Sequence, residues 1–276
     1  MKKAIRNLLL ILFIALLFFS AWQVTDILRT SQASKDSYAS LEQYVSFTEP
    51  ASTVLGTEEI SETVPPPEIE PEDSTAPIEV QDDTVWPKVD FEQLEQINPD
   101  IVGWLFIEGT NINYPVVQGE DNSYYLDHLF DETYNPSGCI FLDENCSSDF
   151  SDQHSIIYGH NMLDGIMFSS LTAYKRQEFY EQHPAALLLT PTHKYKIRLF
   201  SGYVAESSSN AWKRKFQDDS FGSWLSDITS RSAFRSESFP GVENRIITLS
   251  TCTYEFDSAR FVLHGYIEIS IQNKTE

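Results

Sequence analysis

From Leu8 to Phe19 the chain is an unbroken run of hydrocarbon and aromatic side chains (LLLILFIALLFF), and the weakly polar SAWQV carries it to Val24. That is about 17 residues, the short end of what crosses a bilayer core of roughly 30 Å. Lys2, Lys3 and Arg6 stand just before it and place the N-terminus inside. The small residues a signal peptidase needs are poorly placed, because Ser20-Ala21 follows Phe19 and Ser31-Gln32-Ala33 lies too far downstream. Residues 1–30 therefore read as a cytoplasmic tip and a retained single-pass membrane anchor, with the rest of the chain exported. Between residues 46 and 85 the pattern dissolves: six prolines and eleven acids, no Lys or Arg, and apolar residues without period. Such a stretch buries too little surface to offset its chain entropy. Residues 31–85 are expected to form a disordered acidic linker, extended by its like charges and by Pro65–Pro67, lifting a domain off the membrane.

Periodicity returns at Trp86. Asp90 can cap a short helix carrying Phe91, Leu94 and Ile97, stopped by Asn98-Pro99. Strands are predicted over 101–107, 111–118, 138–142, 154–160, 185–189, 194–204, 245–251 and 260–271, apolar or alternating runs mostly rich in β-branched and aromatic residues and separated by turn residues. Helices are predicted over 121–130, 167–181 and 218–230. About eight closely spaced strands with few helices point to a mainly β domain over 86–276, a closed antiparallel barrel or a sandwich.

Charge changes the picture by segment. The 41 acidic and 19 basic residues give a net −22. By position that is +3 over 1–30, −12 over 31–85 and −13 over 86–276. A chain this acidic is a poor partner for nucleic acid, which needs a cationic surface. The three cysteines rule out a disulfide scaffold and leave at least one free thiol. No CxxC or HExxH is present, so neither a metal site nor a cofactor is expected.

Cys139, inside GCIFL, reads as a small core hydrophobe, and Cys146 sits among carboxylates (DENCSSD) that disfavour a thiolate. Cys252 differs: it ends the strand ITLSTC, with Arg260 eight residues on at the head of the next strand, and a thiol beside a guanidinium suits a nucleophile. Acyl chemistry also needs a proton shuttle. Of the six histidines, His128, His154, His183 and His193 read as surface residues. Spacing leaves His160, in the turn YGHNM, and His264, on the Arg260 face of the last strand, both open.

TLSTCTYEFDSARFVLHG (248–265) resembles the signature of the sortases, the cell-wall transpeptidases of Gram-positive bacteria. YGHNM (158–162) resembles their histidine motif, and NPDIVGWLFIEGTNINYPVVQ (98–118) with DNSYYL (121–126) resembles class B. The resemblance spans nearly all of residues 86–271. It implies a closed eight-stranded sortase-type β-barrel with a few peripheral helices, preceded by a transmembrane helix and a disordered linker. It selects His160 over His264 and implies three catalytic roles. Cys252 attacks a sorting signal to give a thioacyl enzyme, His160 moves the proton, and Arg260 holds the substrate and its oxyanion. Asn122, Leu126, Ser250 and Thr251 would line the sorting-signal groove, and the 205–240 segment corresponds to a helical insertion. The implied partners are secreted proteins with an LPXTG-like or NPQTN-like signal and an amine of peptidoglycan. Pilin polymerisation, peptide hydrolysis, or a non-enzymatic surface-binding domain on the same anchor are the alternatives. No residue is assigned as an auxiliary carboxylate; Glu255 and Asp257 are merely nearby.

Overall fold

The computed structural model describes residues 2–47, 84–217 and 219–273. Helix α1 (Lys2–Leu41) carries the apolar run, with side chains exposed from Leu9 to Leu28. Among the described residues it is the helix long and apolar enough to cross a membrane. It does not stop at residue 30. Ser34, Tyr38 and Leu41, spaced four and three apart on one helical face, are buried against the rest of the protein. The Tyr38 hydroxyl donates to Gly138 O at 2.6 Å, its ring meets Tyr114 edge-on, and Asn135 Nδ2 donates to Thr30 O at 3.0 Å.

Strand β1 (Val45–Phe47) then pairs antiparallel with β2 (Pro87–Val89), Phe47 opposite Pro87. Residues 31–47, expected in the linker, are thus folded onto the domain that was expected to begin at Trp86. The Pro-rich part of the expected linker, 48–83, lies outside the described residues. Phe47 and Pro87, described on either side of it, stand opposite each other in the β1–β2 pair, so the part of the expected linker before residue 48 packs on the domain. The physical reason is that a helical face holding one serine, one tyrosine and one leucine shows its apolar character only against a docking partner.

Helix α2 (Phe91–Ile97) starts as expected, with the Asp90 carboxylate accepting from Gln93 N. The domain then builds a closed barrel from eight strands, all close to their expected positions. They are β3 (Ile101–Phe106), β4 (Asn113–Val117), β5 (Ile140–Leu142), β6 (His154–Tyr158), β7 (Ala185–Leu189), β8 (His193–Glu206), β9 (Ile246–Cys252) and β10 (Ala259–Gln272). Their order around the barrel is β10-β8-β7-β3-β4-β5-β6-β9. The barrel is mixed rather than antiparallel, because β4/β5 and β6/β9 pair in parallel. Parallel neighbours need long crossovers, which residues 118–139 and 159–245 supply; strand periodicity alone does not reveal the partner.

The expected helix over 121–130 reduces to a 3₁₀ turn, Tyr124–Leu126, after the Asp121 carboxylate captures Ser123 N and Tyr124 N. The one over 167–181 splits into a 3₁₀ stretch (Ser169–Lys175) and helix α3 (Gln177–Gln182). Helix α4 (Ser220–Ser230) matches expectation and covers the outer wall through Phe221, Trp224, Leu225 and Ile228. These strand directions put the ends of β6 and β9 and the start of β10 on one rim, where α1 also docks through Asn135 and Gly138. The β7–β8 turn at Thr192 lies on the opposite rim.

Candidate active site

Parallel pairing of β6 with β9 sets Tyr158 opposite Ser250. Each chain runs two residues further, bringing His160 and Cys252 out side by side. Three hydrogen bonds hold the two exits together: Gly159 N to Ser250 O (3.2 Å), Thr251 Oγ1 to Gly159 O (2.7 Å) and Asn161 Nδ2 to Cys252 O (3.0 Å). Position 159 has no room for a side chain, since a Cβ there would stand 2.8 Å from the Phe168 ring. On the other side, antiparallel pairing sets Arg260 directly opposite Cys252.

These residues line a cleft of about 250 Å³ together with Asn122, Leu126, Ser250 and Thr251. All seven site residues expected from the sequence therefore face one space. Phe141, Tyr158 and Gly159 complete the wall; Tyr158 and Gly159 lie in the YGHNM segment but had drawn no attention. His160 Nε2 lies 2.7 Å from Leu126 O. A carbonyl only accepts, so Nε2 carries a proton and Nδ1 is left for proton exchange. Among the described residues, the Cys252 sulfur has no hydrogen-bond partner.

The three thiols differ in environment. Cys139 is 1% exposed and burial pushes its pKa up to about 12. Burial, helped by the nearby Asp143 carboxylate, raises Cys146 to about 11. Cys252 is the partly exposed one.

His264 is fully buried, is not part of the cleft lining, and packs against Trp224 of α4. His154, expected on the surface, is also buried, at 1% exposure. The two share one hydroxyl: His154 Nε2 lies 2.6 Å and His264 Nδ1 2.7 Å from Thr248 Oγ1, while His154 Nδ1 lies 2.8 Å from Lys213 O. His154 begins its strand in a polar run, so the expectation followed its neighbours; the tertiary partner was α4 and the loop before it. Burial lowers the pKa of His154 to about 4 and that of His264 well below the ordinary histidine value.

That loop also reaches the cleft. Trp212 Nε1 donates to Ser250 Oγ (3.1 Å), and Arg214 Nε stands 3.5 Å from the buried Asp143 carboxylate. Asp143 in turn accepts from Asn122 Nδ2 and the Tyr158 hydroxyl, both at 3.1 Å. The sequence reading missed Asp143, Trp212 and Arg214. The available signals were an Asp closing the apolar GCIFL strand and the cluster WKRK at 212–215. Glu255 is committed elsewhere, bonded by Lys175 and Thr253, which hold its pKa down to about 2.

No protein-family model matches the chain. The chain is 37% identical over 163 residues to sortase B of Staphylococcus aureus, covering 59% of this chain and 67% of that protein. It is 34% identical over 179 residues to sortase B of Listeria monocytogenes, covering 64% and 73%. The solved Staphylococcus aureus sortase B–substrate complex matches with a TM-score of 0.62 at 34% identity, over 67% of this chain and 85% of that one.

Proposed function

The chain belongs to the sortase B family of cysteine transpeptidases, and from that premise we propose that Cys252, His160 and Arg260 are its catalytic residues. Their role is to cleave the sorting signal of secreted proteins and transfer the acyl group to an amine of peptidoglycan. The Cys252 thiolate attacks the carbonyl before the scissile bond; the S–C bond forms as the C–N bond breaks. His160, as imidazolium, gives its proton to the departing amine. An incoming amine then attacks the thioester, His160 takes its proton, and the Cys252 thiolate leaves. Arg260 spends one NH on Ala259 O (3.0 Å), and its remaining donors serve the oxyanion in both halves. Asn122, Leu126, Ser250 and Thr251 hold the sorting signal. Helix α1 anchors the enzyme in the cell membrane, N-terminus in the cytoplasm and barrel outside.

The observation that supports this reading is the convergence of the partly exposed thiol with an imidazole and a guanidinium in one cleft. The test is acyl-enzyme capture with the full chain in detergent and LPXTG-like or NPQTN-like peptides. Mass spectrometry should find an adduct on Cys252, lost in Cys252→Ala and much reduced in His160→Ala. Added triglycine should divert the product from acid to amide. Full cleavage by either variant would overturn the residue assignment, and a product that stays acid would make the enzyme a hydrolase.

A further inference from the structure

The contacts between α1 and the barrel begin almost where the apolar part of the helix ends. From Leu8 to Val24 the helix rises about 24 Å, the short end of a bilayer core, and Thr25 and Asp26 mark where the apolar run gives way. Ile27 and Leu28 are 66% and 63% exposed, and Trp22 and Arg29 lie at the level where aromatic and cationic side chains meet headgroups. Two residues past Leu28, Thr30 O accepts from Asn135 Nδ2; next, Ser31 Oγ donates to Asp164, and Lys35 pairs with the same carboxylate at 3.6 Å. The barrel is therefore held within about two helical turns, roughly 9 Å, of the end of the apolar run.

The two segments that make this contact each carry an exposed apolar side chain beside the contacting residue. Leu163 precedes Asp164 and is 98% exposed. Tyr134 precedes Asn135 and is 67% exposed. Leu163 is not on a loose loop. Asn161 and Met167 bridge, and Gly165 N bonds Met162 O at 3.2 Å, with Gly165 at φ 86° closing a tight turn that has Leu163 near its tip. Exposed apolar residues taken singly are ordinary. Here two of them flank the docking contacts of a helix whose apolar run, Leu8 to Val24, ends six residues earlier and is uncovered from Leu9 onward.

We propose that the cleft-bearing rim of the barrel rests on the outer membrane surface, with Leu163 and Tyr134 seated in the headgroup layer of the lipid. The inference rests on the reading that α1 spans the membrane. The seated turn leads straight from His160, and the segment containing Tyr134 leads on from Leu126, so the cleft opens alongside the bilayer. A protein substrate still tethered in the membrane meets it there without crossing a gap. Asp131 and Glu132 are exposed next to Tyr134, so the seating is apolar rather than electrostatic, and anionic lipid should weaken it.

The test uses the full chain, reconstituted in phosphatidylcholine vesicles, with a nitrobenzoxadiazole fluorophore on single introduced cysteines. The background is Cys252→Ala; Cys139 and Cys146 are buried and stay in place. Labels at Leu163→Cys, at Thr192→Cys on the opposite rim, and at Phe18→Cys inside the span are compared for blue shift and for quenching by headgroup- and acyl-labelled nitroxide lipids. The expected result is strong acyl quenching at 18, at least twofold more headgroup quenching at 163 than at 192, and a smaller effect at 163 when phosphatidylglycerol is added. Quenching at 18 with 163 as water-exposed as 192 would overturn the proposal while leaving the anchor intact. No quenching at 18 would remove the anchor reading and the proposal with it, and neither result bears on the thioacyl chemistry.

Discussion

Acid should loosen the protein through the histidine pair beneath α4, in a pH window set by their burial. Lys213 O can only accept, so His154 donates to it from Nδ1, and its Nε2 must accept from the Thr248 hydroxyl. The Thr248 oxygen is then free to accept from His264 Nδ1, which leaves His264 Nε2 a bare acceptor, buried without a partner among the described residues. Every donor and acceptor in this chain assumes neutral rings. A proton on His154 Nε2 would face the Thr248 hydroxyl that now donates to it. Burial accordingly holds His154 at about 4 and His264 well below the ordinary value. Since the folded pKa values lie below the unfolded one of about 6.5, the unfolded chain binds more protons in between. This stability is fully present above about pH 6.5 and is lost as the pH falls. Two pH units at about 1.4 kcal/mol each give a loss of roughly 3 kcal/mol from His154 at pH 4.5. With a urea m-value of roughly 2 kcal/mol/M, the unfolding midpoint should drop by about 1.5 M between pH 7 and 4.5, and further through His264. Carboxylates with lowered pKa values, Glu255 among them, surrender their contribution mainly below about pH 4.3, so the window isolates the histidines. Urea titrations followed by tryptophan fluorescence measure it, and His264→Leu, which removes one titrating ring, should flatten the slope. A midpoint that moves by less than about 0.3 M would refute the reasoning.

Three further outcomes are expected. Gly159→Ala drives a Cβ to 2.8 Å from the Phe168 ring and should cost about 1–3 kcal/mol in urea unfolding, with loss of peptide cleavage as the His160 and Cys252 exits shift. Asp143→Ala frees Asn122, Tyr158 and Arg214 at once; steady-state kinetics should show KM raised several-fold, while alkylation of Cys252 proceeds at the wild-type rate. Tyr38→Ala empties a buried contact and should lower stability by about 2–4 kcal/mol, whereas Tyr38→Phe, losing only the bond to Gly138 O, should cost about 1 kcal/mol. Equal midpoints for wild type and Tyr38→Ala would show that α1 does not dock.

Local features were legible along the chain because their causes are local. Short apolar or alternating runs between turn residues, most of them rich in β-branched and aromatic side chains, place β3 to β10 within a few residues, and an Asp before an apolar-periodic stretch marks the cap of α2. Histidines show where this legibility ends. His154 sits in a polar run and is buried; Ser34 and Tyr38 sit in an acidic stretch and are buried too. In each case the partner is distant in sequence, and burial is a property of the pair rather than of the neighbourhood.

The sequence by itself determined the strands, the apolar helix, the thiol worth attention and, through motif resemblance, the residues gathered around it. It could not choose strand partners, because period two specifies a face and not a neighbour. Only the closed barrel decided that β6 and β9 run in parallel, and that pairing is what brings His160, 92 residues upstream in the chain, level with Cys252. Only docking decided that the apolar helix continues into the domain, because the free energy that orders residues 31–47 comes from surfaces the chain assembles 40 to about 100 residues later.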